Sequence, residues 1–215
     1  MVSNLAPSQS LEEIFLSLPH VFNFSKNSNI QFATKAFTPI NLNLEIISAH
    51  PVYRQALIEK FQKLIPPDVD YLCGIESGGS YFASTLANIL NKKLILIRKE
   101  PKIENIPLSR LVGQTPPPNS RICLIDDVLS TGTTLFYTAR FFEYLGCNVC
   151  ARIVFSYGFD ETISKEIGID IQTCSKFCDL LTLATTQKLI TPKDKKLLTK
   201  YVKGFENYLT RKGII

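Results

Sequence analysis

Asp126 and Asp127 stand side by side and are followed closely by Ser130-Thr131-Gly132-Thr133-Thr134. Ionised carboxylates only accept hydrogen bonds, so an adjacent pair suits the two hydroxyls of a ribose. A hydroxyl-rich turn with a flexible glycine, placed at the start of a helix, presents N–H donors and partial positive charge, and such a turn holds phosphate. The combination suits a ligand carrying both a phosphate and sugar hydroxyls. Taken alone, the same residues also fit an ordinary strand–turn–helix with a polar cap.

Two further stretches carry complementary chemistry. Glu76-Ser77-Gly78-Gly79 pairs glycines whose backbone N–H groups can converge on an anion such as pyrophosphate. Arg98-Lys99-Glu100-Pro101-Lys102 gathers three cations that could neutralise pyrophosphate oxygens, the arginine bidentately. Pro101–Ser120 then stays polar and proline-rich with no helical period. A structureless connection of that length is expected to be functional, most simply a lid.

The elements that must position these residues are legible as an alternation. Ile122–Ile125 is an unbroken apolar run, the pattern of a strand buried on both faces, and a helix is expected over Thr133–Leu145. Strands are also expected at Tyr71–Ile75, Leu94–Ile97, Val149–Phe155 and Ile169–Thr173, and helices at Ser80–Leu90 and Glu161–Ile167. This rhythm predicts βαβ units, an α/β fold and a mainly parallel sheet, with all three motifs at carboxyl ends of strands. Upstream, Ser10–Leu18 reads as a helix, His20–Thr38 as a hairpin or small lobe, and Pro39–Ser48 is ambiguous. Pro51 opens a helix over Val52–Leu64, and Thr191-Pro192-Lys193-Asp194 caps a C-terminal one.

Length and composition set outer bounds. With 215 residues the chain fits one domain (1–215): an N-terminal helix and hood to about 50, a core over about 51–185, and a C-terminal helix over about 190–215. The net charge of +5 owes much to Lys193, Lys195, Lys196, Lys200 and Lys203, read as a solvated helix face. No run is long and apolar enough to span a bilayer, and Met1–Phe15 lacks the pattern of a signal peptide, so a cytoplasmic protein is expected. No nucleic-acid-binding pattern is present. Cys147-x2-Cys150 and Cys174-x3-Cys178 invite a zinc reading, but Cys147 should end a helix while Cys150 sits inside a strand. Reduced, mostly buried thiols are the simpler account of all six cysteines.

The stretch RICLIDDVLSTGTTL closely resembles the PRPP-binding signature of the type I phosphoribosyltransferases. The ordered set IESGG, RKEPK and LIDDVLSTGT resembles the orotate phosphoribosyltransferases, strongly over about residues 50–160. Adenine phosphoribosyltransferases share the third motif but are expected to carry an arginine where Gly78 stands. VFSYGF at Val154–Phe159 is similar to the matching strand of one bacterial branch of orotate enzymes. The resemblance implies a twisted, mainly parallel sheet flanked by helices, with a small N-terminal hood. It implies transfer of the phosphoribosyl group of PRPP to orotate, with Mg²⁺ carried by PRPP and no metal ligand on the protein. It also implies a homodimer whose lid loop acts in the neighbouring site. Asp126 and Asp127 would hold the ribose hydroxyls and Ser130, Thr131, Gly132, Thr133 and Thr134 the 5′-phosphate. Arg98 and Lys99 would bind pyrophosphate beside Glu76, Ser77, Gly78 and Gly79. Lys102 would be the catalytic loop cation, with Asp127 the second catalytic residue.

This sequence departs from the family pattern in several places. After the loop lysine it has Ile103, Glu104 and Asn105 where the family has an acid, a histidine and a glycine. Thr34-Lys35 replaces the usual Ser-Gly near the start of the hood, and Thr38-Pro39-Ile40-Asn41 replaces Ser-Pro-x-Tyr. The arginine expected near position 158 to meet the orotate carboxylate is absent, Tyr157-Gly158 standing there, although the YGF-bearing branch lacks it too. Two alternatives therefore accompany the orotate reading: a phosphoribosyltransferase for another base, and a non-catalytic PRPP-binding regulatory protein.

Overall fold

A computed structural model describes residues 9–24, 30–31, 37–38 and 40–211. Among these, helix α1 (Leu11–Ser17) leads into strands β1 (Phe22–Phe24), β2 (Ile30–Gln31), β3 (Phe37–Thr38) and β4 (Ile40–Leu42). Ser10 and Glu13 form a reciprocal capping box: the Ser10 hydroxyl accepts from Glu13 N–H and the Glu13 carboxylate from Ser10 N–H. β1 pairs antiparallel with β4, and β2 with β3 between them in the chain, so the described strands of the expected antiparallel lobe form two nested ladders. The ambiguous Pro39–Ser48 segment supplies β4 and a short helix α2 (Glu45–Ser48). Thr34 and Lys35 lie outside the described residues.

Helix α3 (Pro51–Phe61) starts with its proline at N1, where no N–H is needed, and tightens into a 3₁₀ turn over Gln62–Leu64. From β5 (Tyr71–Ile75) the alternation runs as expected: α4 (Gly78–Leu90), β6 (Lys93–Ile97), β7 (Leu111–Val112), β8 (Arg121–Leu129), α5 (Thr133–Tyr144), β9 (Asn148–Ser156), α6 (Asp160–Ile167) and β10 (Asp170–Lys176). Helices α7 (Phe177–Thr186) and α8 (Pro192–Arg211) complete it. The strands of the main sheet lie in the order β10-β9-β8-β5-β6-β7, all parallel except β7.

Ile122, Cys123, Leu124 and Ile125 at the centre of β8 are buried, as are all five residues of β5. Burying such an apolar side chain contributes about 1.5–3 kcal/mol, which makes these two central strands the firmest part of the fold. α1 closes the sheet from the N-terminal side: Phe15 meets Phe155 edge-on at 6.1 Å, and Ser175 donates to Glu12 at 2.6 Å. At the other end of the chain, Thr191 and Asp194 exchange backbone and side-chain hydrogen bonds, the expected cap of α8.

Two expectations are corrected. β8 does not end at Ile125: it runs on to Leu129, still paired with β9, so Asp126 and Asp127 lie within the strand. β5 stops pairing with β8 at Gly74 and Ile125, and this mismatch leaves the acidic pair open on the β5 side. The segment after Pro101 is not structureless either. It is the tip and return arm of a hairpin, with a 3₁₀ turn at Pro107–Arg110 and β7 pairing back on β6. Its two-residue return strand is too short to leave an alternating pattern.

Candidate active site

The order β8-β5-β6 places the three motifs side by side on one sheet edge. Each lies at the carboxyl end of its strand: Glu76–Gly79 after β5, Arg98–Lys102 after β6, and Asp126–Thr134 over the last residues of β8 and the turn beyond it.

Gly78 and Gly79 open α4 and press directly on the end of β8. A Cβ at Gly78 would collide with the Asp127 carboxylate, and one at Gly79 with the Ile125 carbonyl and, at 3.0 Å, the Asp126 Cα. The glycines thus permit a close approach of backbone to the acidic pair. The Glu76–Ser77 peptide bond is cis. Glu76 continues the β5–β6 ladder through its N–H to the Ile97 carbonyl at 3.0 Å, and its carboxylate accepts from the Lys99 N–H at 3.3 Å. The β5 and β6 loops are therefore tied to one another.

Asp126 and Asp127 are half-buried and their carboxylates accept from the next residue's N–H, at 3.0 Å and 2.9 Å. Burial pushes the Asp126 carboxyl well above the usual range; the Asp127 charge adds to this and Lys99 opposes it. Asp127 is raised too, first by burial, with hydrogen bonds from Asp126 and the Val128 N–H working against it and Glu45 adding a smaller push. Both carboxyls are thus held above their ordinary range by burial, with Lys99 acting against this at Asp126, so a hydroxyl-bearing or cationic ligand placed beside them would favour their charged forms.

The turn Ser130–Gly132 delivers the chain into α5. Gly132 has φ +74°, and a Cβ there would fall 2.8 Å from Ile163 Cγ2, so both conformation and space require glycine. Thr131 and Thr133 hydroxyls lie 2.9 Å apart. Thr133 and Thr134 are the first residues of α5 rather than part of the turn, which puts their backbone N–H groups at the positive end of the helix.

On the β6 loop, Lys99 and Lys102 are exposed. Arg98 is placed differently from the other cations: its guanidinium donates to the Ser109 carbonyl at 3.2 Å across the base of the hairpin. Arg110 mirrors it, donating to the Arg98 carbonyl at 2.8 Å. The hairpin tip carries Ile103 and Glu104, both exposed, and Ser109 fastens it by accepting from the Ile103 N–H at 2.9 Å.

Glu45 was not legible as a site residue. Its carboxylate accepts from the Ser77 hydroxyl at 2.6 Å and its charge is felt by Asp127. Nothing in the run Asn43–Ser48 marks it, because a contact spanning 32 residues leaves no local pattern. On the β9 side, Tyr157 is buried against Phe155 and Phe177, while Gly158 is exposed with open space where a Cβ would stand.

The phosphoribosyl transferase domain matches residues 45–176 of this chain. The orotate phosphoribosyltransferase of Streptococcus sanguinis is 25% identical over 177 residues, covering 80% of this chain and 84% of that protein. Among solved structures, the UMP synthase of Leishmania donovani is similar with a TM-score of 0.75 at 19% identity; the match covers 90% of this chain and 42% of that longer one. The adenine phosphoribosyltransferase of Trypanosoma brucei, in complex with AMP, pyrophosphate and ribose-5-phosphate, gives a TM-score of 0.59 at 19% identity, covering 80% and 82%. These structural likenesses bear on the fold. Together the matches join one sheet architecture to enzymes named for two different bases.

Proposed function

The chain belongs to the phosphoribosyl transferase family, and we propose that it transfers the phosphoribosyl group of PRPP to orotate, forming orotidine 5′-monophosphate and pyrophosphate. One observation supports the reading: the glycine pair, the cation cluster and the acidic pair with its hydroxyl-rich turn lie at the carboxyl ends of three neighbouring parallel strands. The orotate assignment rests on the named relative and on glycine at position 78.

In this reading Asp126 and Asp127 accept hydrogen bonds from the ribose hydroxyls. Ser130–Thr134 hold the 5′-phosphate at the start of α5, and the Glu76–Gly79 loop and Lys99 hold pyrophosphate. Arg98 joins them only if its guanidinium leaves the Ser109 carbonyl. Mg²⁺ arrives as part of the PRPP substrate. Bond breaking at C1′ develops positive charge on the ribose and negative charge on the departing pyrophosphate. Stabilising that separation and excluding water is the main catalytic task. In the same reading Asp126 and Asp127 face the cationic ribose, and Lys102 on the hairpin is the cation that would close on the leaving group. Closure onto the site of a second copy in a homodimer, in the cytoplasm, belongs to the same proposal.

A second reading is favoured by a specific observation. Glu45 adds negative charge beside Asp127, and no cation stands at Gly158 to meet a carboxylated base. A neutral base would then be the acceptor, or PRPP would bind without transfer.

An absorbance assay of orotate consumption with purified protein, PRPP and Mg²⁺ tests the proposal. PRPP-dependent loss of orotate, slowed about 10²-fold by Lys102→Ala, supports it. A flat trace with orotate, while PRPP binds, overturns the orotate assignment and sends the same assay to other bases.

A further inference from the structure

At the amino ends of the strands, opposite the acidic pair, lies a cavity of 440 Å³ lined by Arg121, Cys150, Arg152 and Asp170 among others. Cys150 on β9 is the direct partner of Cys123 on β8. Both are free thiols, Cys123 buried and Cys150 half-exposed at the cavity wall. Adjacent strands lie about 4.8 Å apart, and disulfide-bridged Cα atoms usually lie roughly 4.4–6.8 Å apart. The two backbone positions are therefore spaced as a disulfide requires, with little movement of the sheet.

The charges around Cys150 come from three strands: Arg152 on its own, Arg121 on β8 and Asp170 on β10. Arg152 is fixed, its side chain 4% exposed and paired with Asp170 at 2.7 Å. Side-chain hydrogen bonding with Cys123 draws the Cys150 thiol below its ordinary range, and both arginines act in the same direction, against burial and Asp170. The other thiols are held up: Cys73, Cys147 and Cys174 by burial, the last to about 12, and the exposed Cys178 by burial and Asp179. Thiolate character plus access governs reactivity, which singles out Cys150 over the more exposed Cys178.

We propose that Cys150 and Cys123 form an oxidisable pair that takes a hydroperoxide in this cavity and closes to an intrachain disulfide. The Cys150 thiolate attacks the distal peroxide oxygen. The O–O bond breaks, Cys150 becomes a sulfenic acid, and the leaving oxygen departs as water or alcohol after taking up a proton. The Cys123 thiol then attacks the Cys150 sulfur, the S–S bond forms and water leaves, so that two electrons pass from the pair to the peroxide. The chemistry is independent of phosphoribosyl transfer.

The test treats the native full chain with a few-fold excess of hydrogen peroxide at pH 7. Remaining thiols are blocked with N-ethylmaleimide under denaturing conditions, and peptides are mapped by mass spectrometry. The expected result is a linked Cys123–Cys150 peptide pair, two hydrogens lighter than its reduced form and released by dithiothreitol. In Cys123→Ser the sulfenic acid persists and dimedone labels Cys150. Oxidation confined to Cys178, or a sulfenic acid at Cys150 of the native chain with no link to Cys123, overturns the proposal.

Discussion

Gly78 lies against Asp127 so closely that a methyl group at position 78 would sit 3.0 Å from the Asp127 Cβ and closer still to its carboxylate. The neighbouring Gly79 meets backbone instead, at the Ile125 carbonyl. A short side chain can turn aside, whereas a buried strand carbonyl cannot. Gly78→Ala is therefore expected to fold with nearly native Tm while turning the Asp127 carboxylate, raising the KM for PRPP at least tenfold. Gly79→Ala is expected to cost about 1–3 kcal/mol of stability as overpacking. Thermal unfolding of both variants beside PRPP kinetics checks the contrast; equal destabilisation by the two would contradict it.

The acidic pair should work against stability where it works for binding. Burial raises both carboxyls above the ordinary range, Asp126 the further. The folded chain thus keeps these protons to higher pH than the unfolded chain. The associated stability is complete only below about pH 4 and is lost as pH rises through the folded-state values. Asp126→Asn keeps an oxygen to accept the Asp127 N–H and removes the charge. Its Tm should exceed the native value at pH 7, and the gap should close toward pH 4. PRPP turnover should fall about 10²-fold or more. A native chain that is the more stable one at pH 7 would refute the expectation.

On the hairpin, Lys102 and Glu104 are both exposed, so substituting either should change stability by no more than about 0.5 kcal/mol. Their effects on turnover should have opposite signs. Lys102→Ala removes the cation available to the leaving pyrophosphate and is expected to lower kcat about 10²-fold with KM little changed. Glu104→Gln removes a repelling charge and is expected to raise kcat/KM for PRPP a few-fold at low salt, less at high salt. Steady-state kinetics at two ionic strengths distinguishes the two.

Much of this was legible in the sequence, for identifiable reasons. Ile122–Ile125, Tyr71–Ile75 and the Thr191–Asp194 cap announce themselves through contiguous apolar runs and cap chemistry, which are local. The three strand-end motifs were legible too, and the neighbouring order β8-β5-β6 that unites them follows from crossover rules only once the sheet exists. The full extent of β8 was not legible, because paired carboxylates at an open strand end look like a loop. Nor was the use of the Arg98 guanidinium inside the hairpin, since it depends on a backbone carbonyl at Ser109. α7 follows β10 with no break or proline to announce it.

Glu45 is the sharpest instance of what lay beyond local pattern, and it separates positioning from charge. Its carboxylate holds the Ser77 hydroxyl at 2.6 Å, and Ser77 belongs to the loop that faces pyrophosphate in the proposed reaction. Its negative charge, however, adds to that of Asp127. Glu45→Gln keeps an oxygen for Ser77 and discards the charge, so the KM for PRPP should stay level or fall a few-fold. Glu45→Ala discards both and should raise that KM, by about fivefold if one hydrogen bond of about 1 kcal/mol orders the loop. Kinetics of the two variants side by side checks the division. If Glu45→Gln is as impaired as Glu45→Ala, the charge itself is needed at this site, and an uncharged acceptor base gains ground over the carboxylate-bearing orotate.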